Sequence, residues 1–277
     1  MHKKLTQAIK WLLGTAEYAG GGFGYDSEEC IVLCLHSTPH AFLPQLEKTI
    51  MWLKQEFTIL SPDDFERYCA GELKSGPYVL FTFDDGIRNN YAAAELLHRK
   101  GIHAYFFIVP SFVESANPKS YYLEHIRPIV DSSFENQPID FEALQIAELL
   151  AMRTMGHCIG SHSSTHDLAA QMTVAQTIHE IVDSKAWLAE RLNAPISAFC
   201  SPNNTNFSIN AFGKKLIQEH YSYHFTTFPG PQNRPMDTHL ILRRNIELNW
   251  SLGQIKFALG KWDLKRWKAA IQTYKDL

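Results

Sequence analysis

The chain has 277 residues, of which 45% are hydrophobic and 20% charged, and a formal charge of −3. This ordinary globular composition excludes disorder, collagen and coiled coil, and it leaves no basic excess for a nucleic-acid footprint. A chain of this length buries roughly three quarters of its unfolded surface, so the core needs no disulfide or metal to hold it, and a single α/β barrel is a normal solution.

Residues 1–25 begin with basic residues, place Leu5, Ile9, Leu12 and Ala16 on one helical face, and end in a Gly-rich turn. Gln7 and Lys10 break the apolar run, which predicts a docked amphipathic helix rather than a secretory signal, and a cytoplasmic protein. No apolar run reaches the roughly 18 residues of a membrane span. The five cysteines are an odd number, and Cys30, Cys34 and Cys200 lie in or beside apolar runs, the pattern of buried thiols in a reducing compartment.

From residue 26 to 277 the pattern is that of one domain. Ile31–Leu35 and Tyr78–Phe83 are continuous apolar strands buried on both faces. Further strands are expected at Phe57–Leu60, Ala104–Val109, His157–Ser161, Ser197–Cys200, Tyr223–Thr227 and Leu240–Ile246. Helix punctuation falls between them. Ser61-Pro62-Asp63-Asp64 supplies an N-cap, a proline at the first position and an acidic first turn. Asn89 or Asn90 caps a helix that Gly101 closes; Asp140 opens another that Gly156 closes; Thr173 opens a third with a stripe of Ile178, Ile181, Val182 and Leu188. Residues around 112–150, with Pro118, Pro128 and Pro138, read as an insertion. About eight strands alternating with helices predict a (β/α) barrel or a doubly wound sheet.

Four polar clusters follow four of these strands: His36, Asp84-Asp85-Gly86, His162-Ser-Ser-Thr-His166 and Ser201-Pro202-Asn203-Asn204. C-terminal strand ends of a parallel barrel converge on one face, so groups far apart in sequence meet there. Taken singly, each has a plain structural reading: a capping turn, hydrogen-bonding histidines, a half-buried strand end, a simple turn. Their conjunction shifts the weight towards a site.

Thr82-Phe83-Asp84-Asp85-Gly86 resembles the first motif of the polysaccharide deacetylase family (NodB-homology domain, carbohydrate esterase family 4). Gly160-Ser161-His162 through His166 resembles its second, and the intervening helix-then-strand texture agrees, the likeness running from about residue 30 to about 250. The resemblance implies a distorted (β/α)7-8 barrel and a hydrolase that removes an N-acetyl group from an amino sugar in a glycan or glycan precursor. It further implies one divalent metal held by Asp85, His162 and His166, with Asp84 as general base. A carboxylate and two imidazoles with open positions suit Zn, and Co, Ni, Fe or Mn are compatible.

The resemblance to a circularly permuted form of the family makes His36, after Val32–Leu35, the acid that protonates the leaving amine, a role its pKa near neutrality suits. Phe199 through Asn204 keeps the third motif's proline, Pro202, but loses the aromatic and the glycine that follow; Asn203 retains a backbone N–H for the oxyanion. The missing ring puts sugar stacking in doubt. Arg243-Arg244 resembles the late arginine that orients the base, and strand alternation admits one of the two; Arg244 is the choice here. Cys30 and Cys34 follow strand alternation and read as core, and the remaining histidines are given no role.

The leading expectation is thus an acetamido-sugar deacetylase working on a polymer, a lipid-linked intermediate or a nucleotide sugar. The alternatives are hydrolysis of a non-glycan amide on the same fold, and a non-catalytic carbohydrate-binding relative. Oligomeric state has no signature in the chain.

Overall fold

The computed structural model describes residues 28–127, 137–203, 208–232, 235–260 and 267–277. The expected N-terminal helix at 1–25 lies outside the described residues, as do 128–136 of the expected insertion and Asn204 of the third motif.

The strands are β1 (Cys30–Leu35), β2 (Thr58–Ile59), β3 (Tyr78–Phe83), β4 (Tyr105–Ile108), β5 (Cys158–Ser161), β6 (Ala198–Cys200), β7 (Tyr223–Phe225), β8 (Pro231–Gln232) and β9 (Arg244–Asn245). Their spatial order is β7-β6-β5-β4-β3-β1, all parallel, with β2 on β3, β9 parallel to β1 and only the short β8 antiparallel. The segment from 241 to 246 nearly closes the ring. Ile241 bridges Phe225 on one side, while Arg244 and Asn245 pair with Leu33 and Cys34 on the other. The strand expected over Leu240–Ile246 is therefore regular only at β9, because its backbone groups are shared between two neighbours: Thr226 N–H donates to Ile241 O and Ile246 N–H to Cys34 O. The result is the expected distorted (β/α) barrel.

Alternation along the strands builds two cores. Cys30, Val32, Leu80, Tyr105, Phe107, Ala198, Cys200, Phe225 and Ile241 point inward and fill the barrel. Ile31, Leu33, Leu35, Val79, Phe81, Phe83, Phe106, Ile108 and Phe199 point outward to the helices. Gly160 is required by this packing, since a Cβ there would stand 2.6 Å from the Phe107 ring.

The helix starting at Pro62 begins as expected, with the Ser61 side chain accepting from Asp64 N–H. Gly101 and Gly156 close their helices at φ +68 and +93. Three expectations need correction. Asn89 does not cap the helix Asn90–Arg99; its amide accepts from Thr38 N–H and donates to Ser37 and Asp140. Asp140, held by that bond, lies in a short turn, and the helix starts later, at Ile146–Thr154. In the helical run after Thr173, Ile178 is exposed, and the inward face carries Thr177, Glu180, Ile181, Ser184 and Leu188. Polar groups hold that face because they bond to the loop and strand beneath it. No helix among the described residues is long and apolar enough to cross a membrane.

Candidate metal centre and active site

Continuing the inward alternation past each strand end places Cys34 and His36, Thr82 and Asp84, His162, Cys200, Arg243 and Asn245 at one mouth of the barrel. Of these, Cys34, His36, Asp84, His162, Arg243 and Asn245 line a cleft of ≈300 Å³, together with His166, Asn203, Thr227 and Trp267.

Asp85 is fully buried, and its Oδ1 lies 3.4 Å from His162 Nε2 and 3.3 Å from His166 Nε2. The other ring nitrogens face backbone carbonyls: His162 Nδ1 lies 2.8 Å from Cys200 O and His166 Nδ1 2.9 Å from His125 O. A carbonyl only accepts, so both Nδ1 atoms carry a proton, and in that neutral tautomer each Nε2 would turn a lone pair towards the carboxylate. Lone pairs facing lone pairs repel unless a proton or a cation lies between them. Both Asp85 carboxylate oxygens are buried with no hydrogen-bond partner. Buried carboxylates without partners are costly. The donor set, one carboxylate and two imidazoles oriented from behind by carbonyls, therefore fits a divalent metal.

Asp84 has a different environment. Arg243 holds it in a bidentate pair, Nη1 to Oδ1 and Nη2 to Oδ2 at 2.7 Å each. Burial alone would raise the Asp84 pKa; the Arg243 charge, with His162 nearby, overrides it and brings the carboxyl down to about 2. Its Oδ2 lies 3.8 Å from His162 Nε2, so the free carboxylate borders the three ligands. Arg243 is itself fixed by Thr82 Oγ1 and Thr226 O, and lies 5.8 Å from the Phe107 ring centroid.

The backbone at the mouth is unusual. Asp85, Ser163, His166 and Asn203 all have positive φ (74, 62, 69 and 60°), a conformation that L-residues other than Asn and Asp seldom adopt. Strain of this kind persists only where surrounding contacts impose it. For the histidine loop those contacts come from Glu180, which accepts from Ser164 N–H, Thr165 N–H and Thr165 Oγ1 at 3.0, 2.9 and 2.7 Å.

The polysaccharide deacetylase family model matches residues 72–216, just over half of the chain. The chain belongs to the polysaccharide deacetylase family. A search of curated protein sequences finds no match. Among solved structures, the Streptococcus pyogenes deacetylase PplD in complex with acetate superposes with a TM-score of 0.63 at 19% identity, covering 84% of this chain and 99% of that one. The BpsB deacetylase domain from Bordetella bronchiseptica gives 0.61 at 20% identity, over 80% and 97% of the two chains. IcaB from Ammonifex degensii gives 0.58 at 20% identity, over 84% and 97%. At such identities these likenesses establish the shared fold.

Of the residues singled out in the sequence, this deacetylase-family barrel brings Asp84, Asp85, His162, His166, His36 and Asn203 to one cleft, with Pro202 buried immediately before Asn203. Arg244 is the exception. Its guanidinium points outward and donates to Gly260 O, and the partner of Asp84 is Arg243. Pairing of Arg244 with Leu33, an outward residue of β1, sets this parity.

His36 lines the cleft with Nδ1 3.9 Å from Glu247 Oε1. Burial disfavours its charged form, but Cys34 and the carboxylates of Asp85 and Glu247 outweigh that and raise its pKa well above the ordinary value. Asn90 Nδ2 holds the His36 carbonyl at 2.8 Å. Sequence reasoning named Arg243 but chose its neighbour, read Asn90 only as a possible cap, and missed Glu180 and Trp267. Trp267 is an aromatic wall supplied from the C-terminal region, where the third motif lacks one.

Proposed function

We propose that this family member is a metal-dependent N-deacetylase that hydrolyses the acetamido group of an amino sugar in a glycan or glycan precursor. The observation that carries the reading is the contrast between adjacent carboxylates: Asp85 faces two imidazole lone pairs with no partner of its own, whereas Asp84 is bound by Arg243 and remains open to the cleft. Asp85, His162 and His166 would hold the ion, with Zn first by donor type. When bound, the ion supplies a Lewis acid for the acetyl carbonyl and acidifies a water molecule.

Asp84 takes the proton of the attacking water. Arg243 keeps that carboxylate ionised and aimed, at the cost of basicity. The Asn203 backbone N–H, presented by its positive φ beside Pro202, donates to the oxyanion that develops on the acetyl carbonyl. His36 gives a proton to the departing nitrogen, leaving a free amine and acetate. Trp267 offers an apolar face to a sugar ring, which favours a glycan over a small cyclic amide.

Acetate release from acetamido-sugar oligosaccharides, a nucleotide-linked acetamido sugar and cyclic amides, assayed with zinc-loaded protein, tests the proposal. Asp84→Asn is expected to lower kcat by about 10²–10⁴ while metal binding persists. Full activity of Asp84→Asn would remove the base assignment, and turnover of cyclic amides alone would move the substrate class.

A further inference from the structure

Two thiols crowd the proposed base without any part in the chemistry above. Cys34 Sγ lies 3.4 Å from Asp84 Oδ2, and Cys200 Sγ 3.7 Å from the same oxygen. They differ in availability. Cys200 is fully buried and its sulfur accepts from Arg243 Nη2 at 2.9 Å. Cys34 lines the open cleft, with His36 Nε2 4.0 Å away. Cys34 and His36 are two residues apart at the end of β1, so alternation turns both inward.

We infer that Cys34, His36 and Asp84 form a second, inhibitory binding site for a thiophilic divalent ion such as zinc, separate from the Asp85–His162–His166 set. The ligand atoms of Cys34, His36 and Asp84 all lie within 4.8 Å of one another, and the two trios share no residue. Tetrahedral zinc with sulfur at roughly 2.3 Å and nitrogen or oxygen at roughly 2.0 Å holds its donors about 3.3–3.6 Å apart, so only a small closure is needed. His36 Nδ1 is buried without a hydrogen-bond partner, and Glu247 Oε1 stands 3.9 Å from it, where a carboxylate orients a ligating imidazole. Asp84 Oδ2 keeps a second lone pair beside its Arg243 bond. A third grouping, Asp84 with His162 and Cys200, competes for a ligand of the first ion and uses a sulfur already bonded to Arg243.

Occupation of this site sequesters both groups assigned to proton transfer, so inhibition rests on the deacetylase reading, whereas binding itself does not. Binding displaces the Cys34 thiol proton to solvent. The site thus makes activity pass through a maximum as metal rises, with one ion needed and the second blocking.

The test is a titration of the metal-free full chain with cobalt(II) under a non-thiol reductant, followed by zinc titrations of acetate release. The first equivalent is expected to bind with weak visible bands only, as nitrogen and oxygen donors give. The second is expected to add the strong near-ultraviolet sulfur-to-metal band. Cys34→Ser should lose that band and weaken the second binding by at least about tenfold, while retaining the first equivalent as proof of folding. Cys200→Ser should keep the band. Acetate release at two zinc equivalents, relative to one, should fall about tenfold in wild type and stay level in Cys34→Ser. A stoichiometry of one, or a sulfur band that survives Cys34→Ser, overturns the site. A Cys34-dependent band without acetate release at any loading would instead sink the deacetylase reading and leave the second site standing.

Discussion

The floor and the mouth of the barrel are built from the same strands and obey opposite rules. At the floor, Val32, Leu80, Tyr105, Phe107 and Phe225 interdigitate in regular strand geometry, with aromatic centroids of Phe107 and Phe225 at 5.0 Å. At the mouth, one step further along the same inward rows, stand carboxylates, imidazoles and a guanidinium, all buried but the half-buried His36, with four non-glycine residues at positive φ. A chain that satisfies every local preference below and breaks several above concentrates its local conflicts where chemistry is to be done. The floor stabilises the fold and the mouth draws on that stability.

The largest effects should separate the two. Phe107→Ala, at the floor, is expected to cost about 3–5 kcal/mol of unfolding free energy. Asp85→Ala, at the mouth, should reduce acetate release to background and, in a Cys34→Ser background that removes the second site, abolish zinc-induced stabilisation, about 4 kcal/mol at a thousandfold excess over Kd. Denaturant melts with and without zinc check both. Equal loss of stability in the two variants, or zinc-induced stabilisation that survives Asp85→Ala in the Cys34→Ser background, would erase the distinction.

How the sequence foretells each region follows from the same contrast. Strands of the floor were legible because continuous apolar runs bounded by turn residues have few other solutions, and the Asp85–His162–His166 cluster was legible because its residues sit in two short motifs. Arg243 was not, because Leu240, Ile241 and Leu242 are apolar on both faces and leave the parity undetermined until pairing with β1 sets it. The late start of the helix at Ile146 was equally hidden: Asp140 reads as its cap, but one carboxylate oxygen closes the preceding short turn on Gln137 N–H and the other accepts from Asn89, a partner distant in sequence. Local pattern encodes periodicity and capping, and these two residues answer to tertiary bonds.

The arginine pair sharpens the comparison at intermediate magnitude. Arg243→Met leaves Asp84 buried without its counter-charge, and breaking such a pair costs about 3–5 kcal/mol, whereas Arg244→Met loses one bond to Gly260 O and costs about 1 kcal/mol. The pH dependence has a definite sign. Asp84 titrates near 2 in the folded protein, below the ordinary 3.8, so the unfolded chain binds the proton more readily. Its contribution, about 2 kcal/mol, is complete above the ordinary value and is lost as pH falls from there through about 2. In Arg243→Met burial prevails and the carboxyl pKa rises, so an acid limb of kcat/KM should move up into the working range. Arg244→Met should leave that limb where it is, and pH profiles at one zinc equivalent distinguish the two.

The smallest expected effect belongs to Glu180, which touches no ligand and no part of the cleft. Its carboxylate gathers Ser164 N–H, Thr165 N–H and Thr165 Oγ1, tying down the turn between His162 and His166 in which Ser163 and His166 hold positive φ. Glu180→Met keeps the length but removes both acceptor oxygens, leaving two backbone N–H groups and the Thr165 hydroxyl without this partner. The loop then relaxes and the two imidazoles lose their fixed separation. Outer partners of this kind alter metal affinity by about 10–100-fold, so zinc Kd should weaken within that range while the maximal kcat of the zinc titration changes little. A purely structural carboxylate would lower Tm in the metal-free protein and leave zinc Kd alone. If Glu180→Met does that, the strained turn is held by the barrel itself, and the division between floor and mouth lies above the histidine loop.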